Sequence, residues 1–180
     1  MLSQKEKEQR KRERMLDKAR EYSVGTYKNK FVAPVFQRMV RAEAAALPDG
    51  DTPAIRNGQL VQIYRTVGQC VCVTCGRVGP WSEGLGGMHT GHFLGSRANS
   101  ILFEEFNVAC QCSRDNRYES GAPQRFRMWM LAVRGQAVVQ RLERLRNEVV
   151  SFSKEELVDK RIGYQDRLKA AEELINHGLP

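Results

Sequence analysis

Residues 107–121 read NVACQCSRDNRYESG. Cys110 and Cys112 are separated by one residue, Asp115 stands three positions after the second cysteine, and Asn116 follows at once. Working backwards, residues 72–76 read CVTCG, and a two-residue turn lets the Cys72 and Cys75 thiolates point at one ion without strain. That is the usual first half of a tetrahedral zinc site. The second half must then come from Cys110, Cys112 or Asp115, with a substantial element between the halves. A lone Cys-x-x-Cys also suits a redox dithiol, but thiols that recur downstream point to a metal knuckle. Between the halves lies HTGHF, residues 89–93, with His89 and His92, two of three histidines in the chain, and Gly91 between them to admit backbone or substrate.

A chain of 180 residues can bury the core of one domain with extensions. The 29 Lys and Arg against 21 Asp and Glu give a formal charge of +8, which favours a polyanionic partner, nucleic acid first. No run of about 18 apolar residues exists, and MLSQKEKEQRKRERM lacks the apolar stretch of a signal peptide. The expectation is a cytoplasmic protein with no membrane segment. In a reducing compartment five cysteines serve better as thiolates than as disulfides.

Residues 3–22 are strong helix formers with too few apolar positions for a stripe, either a solvated helix or a basic arm along phosphates. Val35, Phe36, Met39, Val40, Ala44 and Leu47 recur at helical spacing, and PDGDTP at 48–53 reads as a turn or linker. This divides the chain into a basic helical extension, 1–50, and a main domain, 51–180. LVQIYRTVGQCVCVTCG is a β-branched segment entering a tight turn at Thr74 to Gly76, MHTGHFLGS begins as a short strand, and FEEFNVACQC returns to the cysteine pair. Helices come next: 123–134, with Phe126, Met130, Leu131 and Val133 toward one side, a break at Gly135, and a last helix from the capping box Ser153–Glu156 to about Ile175. The fold class expected is α+β.

The order Cys-Cys, His, Asn, Cys, Asn resembles the HNH nucleases, whose ββα-metal core pairs a catalytic ion with a structural zinc. The chain is most similar to the lambdoid phage NinG family, also called Rap, recombination endonucleases that cut branched DNA. CVTCG, HTGHF, FEEFNVACQCSRDN, the SG at 120–121, MLAVRGQAVVQRLE and SFSKEELVDKRIGYQDRLKAAEEL carry the resemblance, over roughly residues 68 to 175. The first 60 or so look unlike the family. The resemblance implies a phage or prophage protein in a bacterial host. His92 would be the general base, with a pKa of about 6.5 close to working pH. Asn107 would brace the loop carrying that base. His89, where the family usually has an acid, and Asn116 would ligate the catalytic ion, Mg²⁺ or Mn²⁺, and a histidine at 89 shifts preference toward softer ions.

The family reads Gln-Cys-x-x-Cys-Asn, and here the second cysteine is Asp115. Three arrangements stay open: zinc on Cys72, Cys75, Cys112 and Asp115; Cys110 in place of Asp115; or no zinc. In an extended strand Cys110 and Cys112 face one side but stand apart, so both reach one ion only if the chain bends. Ala109 replaces a histidine common in the family. Arg97, Arg114, Arg117 and Arg125 lie in or beside the motif and are candidate DNA contacts. Trp81 and Trp129 could stack on unpaired bases, with core packing the expected use. The implied function is metal-dependent DNA cleavage by a homodimer, with a non-cleaving zinc-stabilised DNA-binding protein as the alternative.

Overall fold

The computed structural model describes residues 3–82, 84, 86–95 and 98–177. Ser3 opens α1 (Gln4–Arg20) with a reciprocal capping box, its hydroxyl accepting from the Glu6 N–H while the Glu6 carboxylate accepts from the Ser3 N–H. α2 (Val24–Tyr27) passes through a π-helical turn, Lys28–Val32, into α3 (Ala33–Ala46). Three antiparallel strand pairs come after it. β1 (Gly50–Arg56) pairs with β2 (Gln59–Arg65), β3 (Gln69–Val71) with β4 (Val78–Pro80), and β5 (Met88–His92) with a later strand. α4 (Asn99–Leu102) and a 3₁₀ turn, Glu105–Asn107, lead into that strand, β6 (Val108–Cys112). A π-helical turn, Arg114–Tyr118, then α5 (Pro123–Trp129), α6 (Gln136–Leu145) and α7 (Lys154–His177) complete the chain. The architecture is α+β, as expected.

α7 begins at the expected capping box, with the Glu156 N–H donating to Ser153 Oγ at 3.0 Å. It packs along α3, and the two helices share a core with Phe36, Met39, Tyr27, Leu157, Val158 and Leu168 buried. Phe36 stands edge-on to Phe103 at 5.6 Å and 5.1 Å from Tyr164. α1 lies against α7 rather than free in solvent. Met15, Leu16 and Ala19 join the core, and Lys11 and Arg12 pair with Asp166 and Asp159 at 2.8 and 2.7 Å. Exposed pairs of this kind contribute little each, so the apolar contacts hold the helix in place.

Several expectations change. The linker at 48–53 is a linker only to Asp49, because Gly50 to Pro53 already belong to β1. β1 and β2 form a two-stranded ribbon in which a proline can occupy an outward-facing position without breaking a central ladder. The core crosses the division at residue 50, since α3 residues and Val108 lie in one cluster. Arg41 of α3, only 4% exposed, donates to the Trp81 carbonyl at 3.1 Å and to Thr90 Oγ1 at 3.2 Å, tying α3 to β5. Leu47, expected on the apolar stripe, lies past the end of α3 and is exposed. The helix expected over 123–134 widens into a π-helical turn at Met130–Arg134. The wider turn shifts the helical phase, so Met130 is buried while Leu131 faces solvent. Trp129 is core, its indole N–H donating to the Pro53 carbonyl at 2.8 Å, and Trp81 packs partly buried against two clusters.

Phe36 carries the α3–α7 contact, whereas Ser153 only caps an end. We expect Phe36→Ala to lower unfolding free energy by about 3–5 kcal/mol and Ser153→Ala by about 1 kcal/mol, measured by denaturant titration. Equal losses at the two positions would contradict this division of roles.

Candidate metal centre

The turn after β3 and the turn after β6 face each other. Cys75 and Gly76 both donate their N–H to the Cys72 carbonyl, at 3.4 and 2.8 Å, which folds the Cys-x-x-Cys loop into one tight turn. Gly76 holds φ at 74°, a left-handed conformation that suits glycine. From the other side β6 delivers Cys112 and the π-helical turn delivers Asp115, fully buried. One ligand atom from each of Cys72, Cys75, Cys112 and Asp115 lies within 4.8 Å of the other three.

The separations suit a tetrahedral ion. Zn–S bonds of about 2.3 Å put the S···S edges of a tetrahedron at about 3.75 Å. Cys75 Sγ lies 3.7 Å from Cys112 Sγ, and Cys72 Sγ lies 3.6 Å from Asp115 Oδ2. Three sulfurs and one carboxylate oxygen at these distances can hold a metal ion and are compatible with structural zinc. Cys110 does not belong to the group. β6 stays extended and in register through Cys112, with no bend at that point, so Cys110 faces Cys70 and is hydrogen-bonded to it. The grouping therefore brings Asp115, and not Cys110, to the three other side chains.

Thr74, between the two cysteines, organises the acid. Its hydroxyl donates to Asp115 Oδ2 at 2.6 Å and accepts from Gln111 Nε2 at 3.2 Å. Arg125 Nη2 approaches Asp115 Oδ2 at 3.2 Å and Arg114 Nε approaches Oδ1 at 3.3 Å. Burial disfavours the Asp115 charge, but the Thr74 hydroxyl and the two guanidinium groups outweigh it and hold the carboxyl below its ordinary range. The Cys75 thiol hydrogen-bonds the Cys72 sulfur, bringing Cys72 down to about 6 despite burial, and the same bond keeps the proton on Cys75. Burial pushes the Cys112 thiol up.

Gln111 extends this network toward the histidines. It is fully buried, donates to the Gly121 carbonyl at 2.8 Å, and presses on β5, where a Cβ at residue 91 would sit 1.9 Å from its Oε1. Gly91 is therefore needed for close packing of one strand on the other. His92, at the end of β5, hydrogen-bonds the Leu102 backbone, and its Nε2 is buried with no hydrogen-bond partner among the described residues. Asn107 is fully buried and closes the loop after His92. Its Oδ1 accepts from the Leu94 N–H at 2.9 Å, and its Nδ2 donates to the Leu94 and Ile101 carbonyls at 3.1 and 3.2 Å.

His89 pairs with Gln111 across the strands, three residues from His92, so strand alternation sends the two imidazoles to opposite faces. Asn116 is half-buried in the π-helical turn, which lies against β5. Arg114 and Arg125 are ion-paired with Asp115 and Glu119, and Arg117 is exposed. Arg97 lies outside the described residues. Sequence reading passed over Thr74 and Gln111, although both stand directly beside ligand cysteines.

The family model described as Bacteriophage Lambda NinG protein matches residues 2–173. The chain belongs to the NinG family. No curated protein and no solved structure matches it. The match reaches the first helix of this NinG-family chain, correcting the expectation that the first 60 residues fall outside the family pattern. The family's description is that of a bacteriophage protein. Among the described residues no helix is long and apolar enough to cross a membrane.

Two measurements check the centre. Metal analysis after purification in zinc should find one ion per chain in wild type and Cys110→Ser, and reduced retention against a chelator in Asp115→Ala. Because Cys75 and Cys112 must lose protons to bind, wild-type affinity rises with pH. Loss of zinc from Cys110→Ser with retention in Asp115→Ala would reverse the ligand assignment. Separately, Gly91→Ala should destabilise by about 1–3 kcal/mol through overpacking, and by clearly less in a Gln111→Ala background. Additive effects would show that the two side chains do not meet.

Proposed function

We propose that this protein is a metal-dependent DNA endonuclease that hydrolyses phosphodiester bonds in branched or structured DNA during phage recombination. The observation that carries the reading is His92. Its ring is fixed by the Leu102 backbone, its loop is braced by Asn107, and its Nε2 lone pair has no partner among the described residues. A buried acceptor left without a partner calls for a water or a reacting proton. Desolvation lowers the His92 pKa against the opposing pull of the Leu102 hydrogen bond, which leaves the imidazole neutral and able to accept a proton. His92 Nε2 then takes a proton from water as the water oxygen bonds to phosphorus, and the 3′-oxygen leaves on the other side.

A divalent ion, Mg²⁺ or Mn²⁺, supplies charge neutralisation at the phosphate and leaving oxygen when bound. Asn116, carried to β5 by the turn that Asp115 anchors, is the residue proposed to hold it, whereas His89, expected as its second ligand, leaves β5 on the face opposite His92 and does not fit that role. The knuckle is proposed to hold zinc in a structural role, setting the position of that turn. Cutting paired strands of a junction calls for two copies of the chain. One observation favours the alternative of a DNA-binding protein that no longer cuts: His89 and His92 leave β5 on opposite faces.

Cleavage of a labelled four-way junction and nicking of plasmid in Mg²⁺ or Mn²⁺ test the reading. Wild type should cut and His92→Ala should lose at least about a hundredfold in rate. A lowered pKa leaves His92 unprotonated at neutral pH, so the rate should be flat around pH 7 and fall only as pH drops below about 6.5. Equal cleavage by both proteins, or none by either while junction binding persists, would replace the nuclease with the binding protein.

A further inference from the structure

Two adjoining hollows lie over the knuckle, of about 460 and 310 Å³, and share Arg56, Cys75 and Arg114 in their walls. Arg77 lines the first, while Arg125 and the hairpin tip Asn57–Gly58 line the second. Among the described residues neither wall contains a carboxylate. The tip residues take positive φ, 51° and 76°, the pattern of a tight two-residue turn, so β1 and β2 project as a ribbon to their end. Arg56, the last residue of β1, leans over the Cys-x-x-Cys turn, with its Nε 3.5 Å from where a Cβ on Gly76 would stand.

The four arginines differ in their commitments. Arg114 and Arg125 are ion-paired with Asp115 and Glu119. Arg56 and Arg77 are exposed, and no side-chain hydrogen bond or ion pair is seen for either among the described residues. The hollow on α1, by contrast, mixes Lys7, Arg10 and Arg14 with Glu13 and Asp17, and Arg38 of α3 pairs with Glu172. Two guanidinium groups without a partner among the described residues, beside two paired ones, set four cations around a concave wall without carboxylates, and cations so placed draw in anions.

We infer that the cleft between the β1–β2 ribbon and the knuckle is a docking groove for the phosphate backbone of DNA, with Arg56 and Arg77 as its phosphate-contacting residues. The inference rests on the DNA reading above and adds the ribbon, which lies outside the cysteine and histidine motif, as part of the contact surface. Guanidinium forks suit the paired oxygens of a phosphodiester. Such contacts carry affinity and orientation without reading bases, as suits a protein that recognises DNA shape. The groove adjoins the turn that carries Asn116, so DNA held there lies next to the centre proposed for cleavage.

The test uses the full chain loaded with zinc, in a His92→Ala background without Mg²⁺ or Mn²⁺, and measures anisotropy of a fluorescent four-way junction and of a duplex. The variants are Arg56→Ala, Arg77→Ala, the double variant, and Arg144→Ala on the exposed side of α6 as control. The double variant should bind both DNAs roughly tenfold more weakly, with the slope of log affinity against log salt smaller by about 2, while Arg144→Ala stays near the parent. Zinc retention against a chelator should be unchanged. If the parent binds DNA and the double variant binds equally well, the groove is wrong while the DNA reading survives. A double variant that loses zinc but regains full DNA binding when zinc is restored would assign the arginines to balancing thiolate charge, also overturning the groove. Failure of the parent itself to bind either DNA would overturn the DNA reading and the groove with it.

Discussion

Three sulfurs and a carboxylate brought within 4.8 Å of one another form a concentration of negative charge that a fold must balance. The protein meets part of this demand itself. Protons remain on Cys75 and Cys112, Thr74 donates to Asp115, and Arg114 and Arg125 stand at its two oxygens. A divalent cation would meet the rest, and the S···S edge of 3.7 Å is the one such an ion prefers. Everything proposed for function hangs from this fastening. It joins the turn after β3 to the turn after β6, and the second turn carries Asn116.

An aspartate in fourth place beside three cysteines gives the fastening a mixed character. A carboxylate is harder than a thiolate and has a second oxygen to satisfy. Arg114 occupies that oxygen, and Thr74 and Arg125 share the other. These groups orient the ligand as second-layer partners do around metal centres generally. Gln111 then couples the fastening to β5 by filling the space that only a glycine at 91 leaves open.

The helical body serves a different purpose. α3 and α7 bury an aromatic cluster around Phe36, Phe103 and Tyr164, and α3 reaches β5 through the buried guanidinium of Arg41. The short strand pairs, each only two strands wide, have too little apolar area to stand alone. They keep their places because helices cover them. That dependence explains why the N-terminal helices belong to the same core as the motif-bearing half.

Local chemistry made much of this readable from the chain alone. The spacing of Cys72 and Cys75, the capping box at Ser153 and the helical period of α3 come from preferences acting over a few residues, whereas Cys112, Asp115 and Asn107 were legible through the family resemblance. Leu47, Leu131 and the strand at Gly50–Pro53 departed from expectation where a helix end, a π-helical turn and ribbon pairing overrode local pattern. Only the tertiary structure sets Cys110 apart from the cluster that contains Asp115, because that separation depends on whether β6 bends, and its pairing with β5 holds it straight. It also decided which arginines have no partner among the described residues, since a guanidinium's partner can lie dozens of residues away. The residues were legible as types; their partners were not, because contact across the chain is set by how the whole body packs.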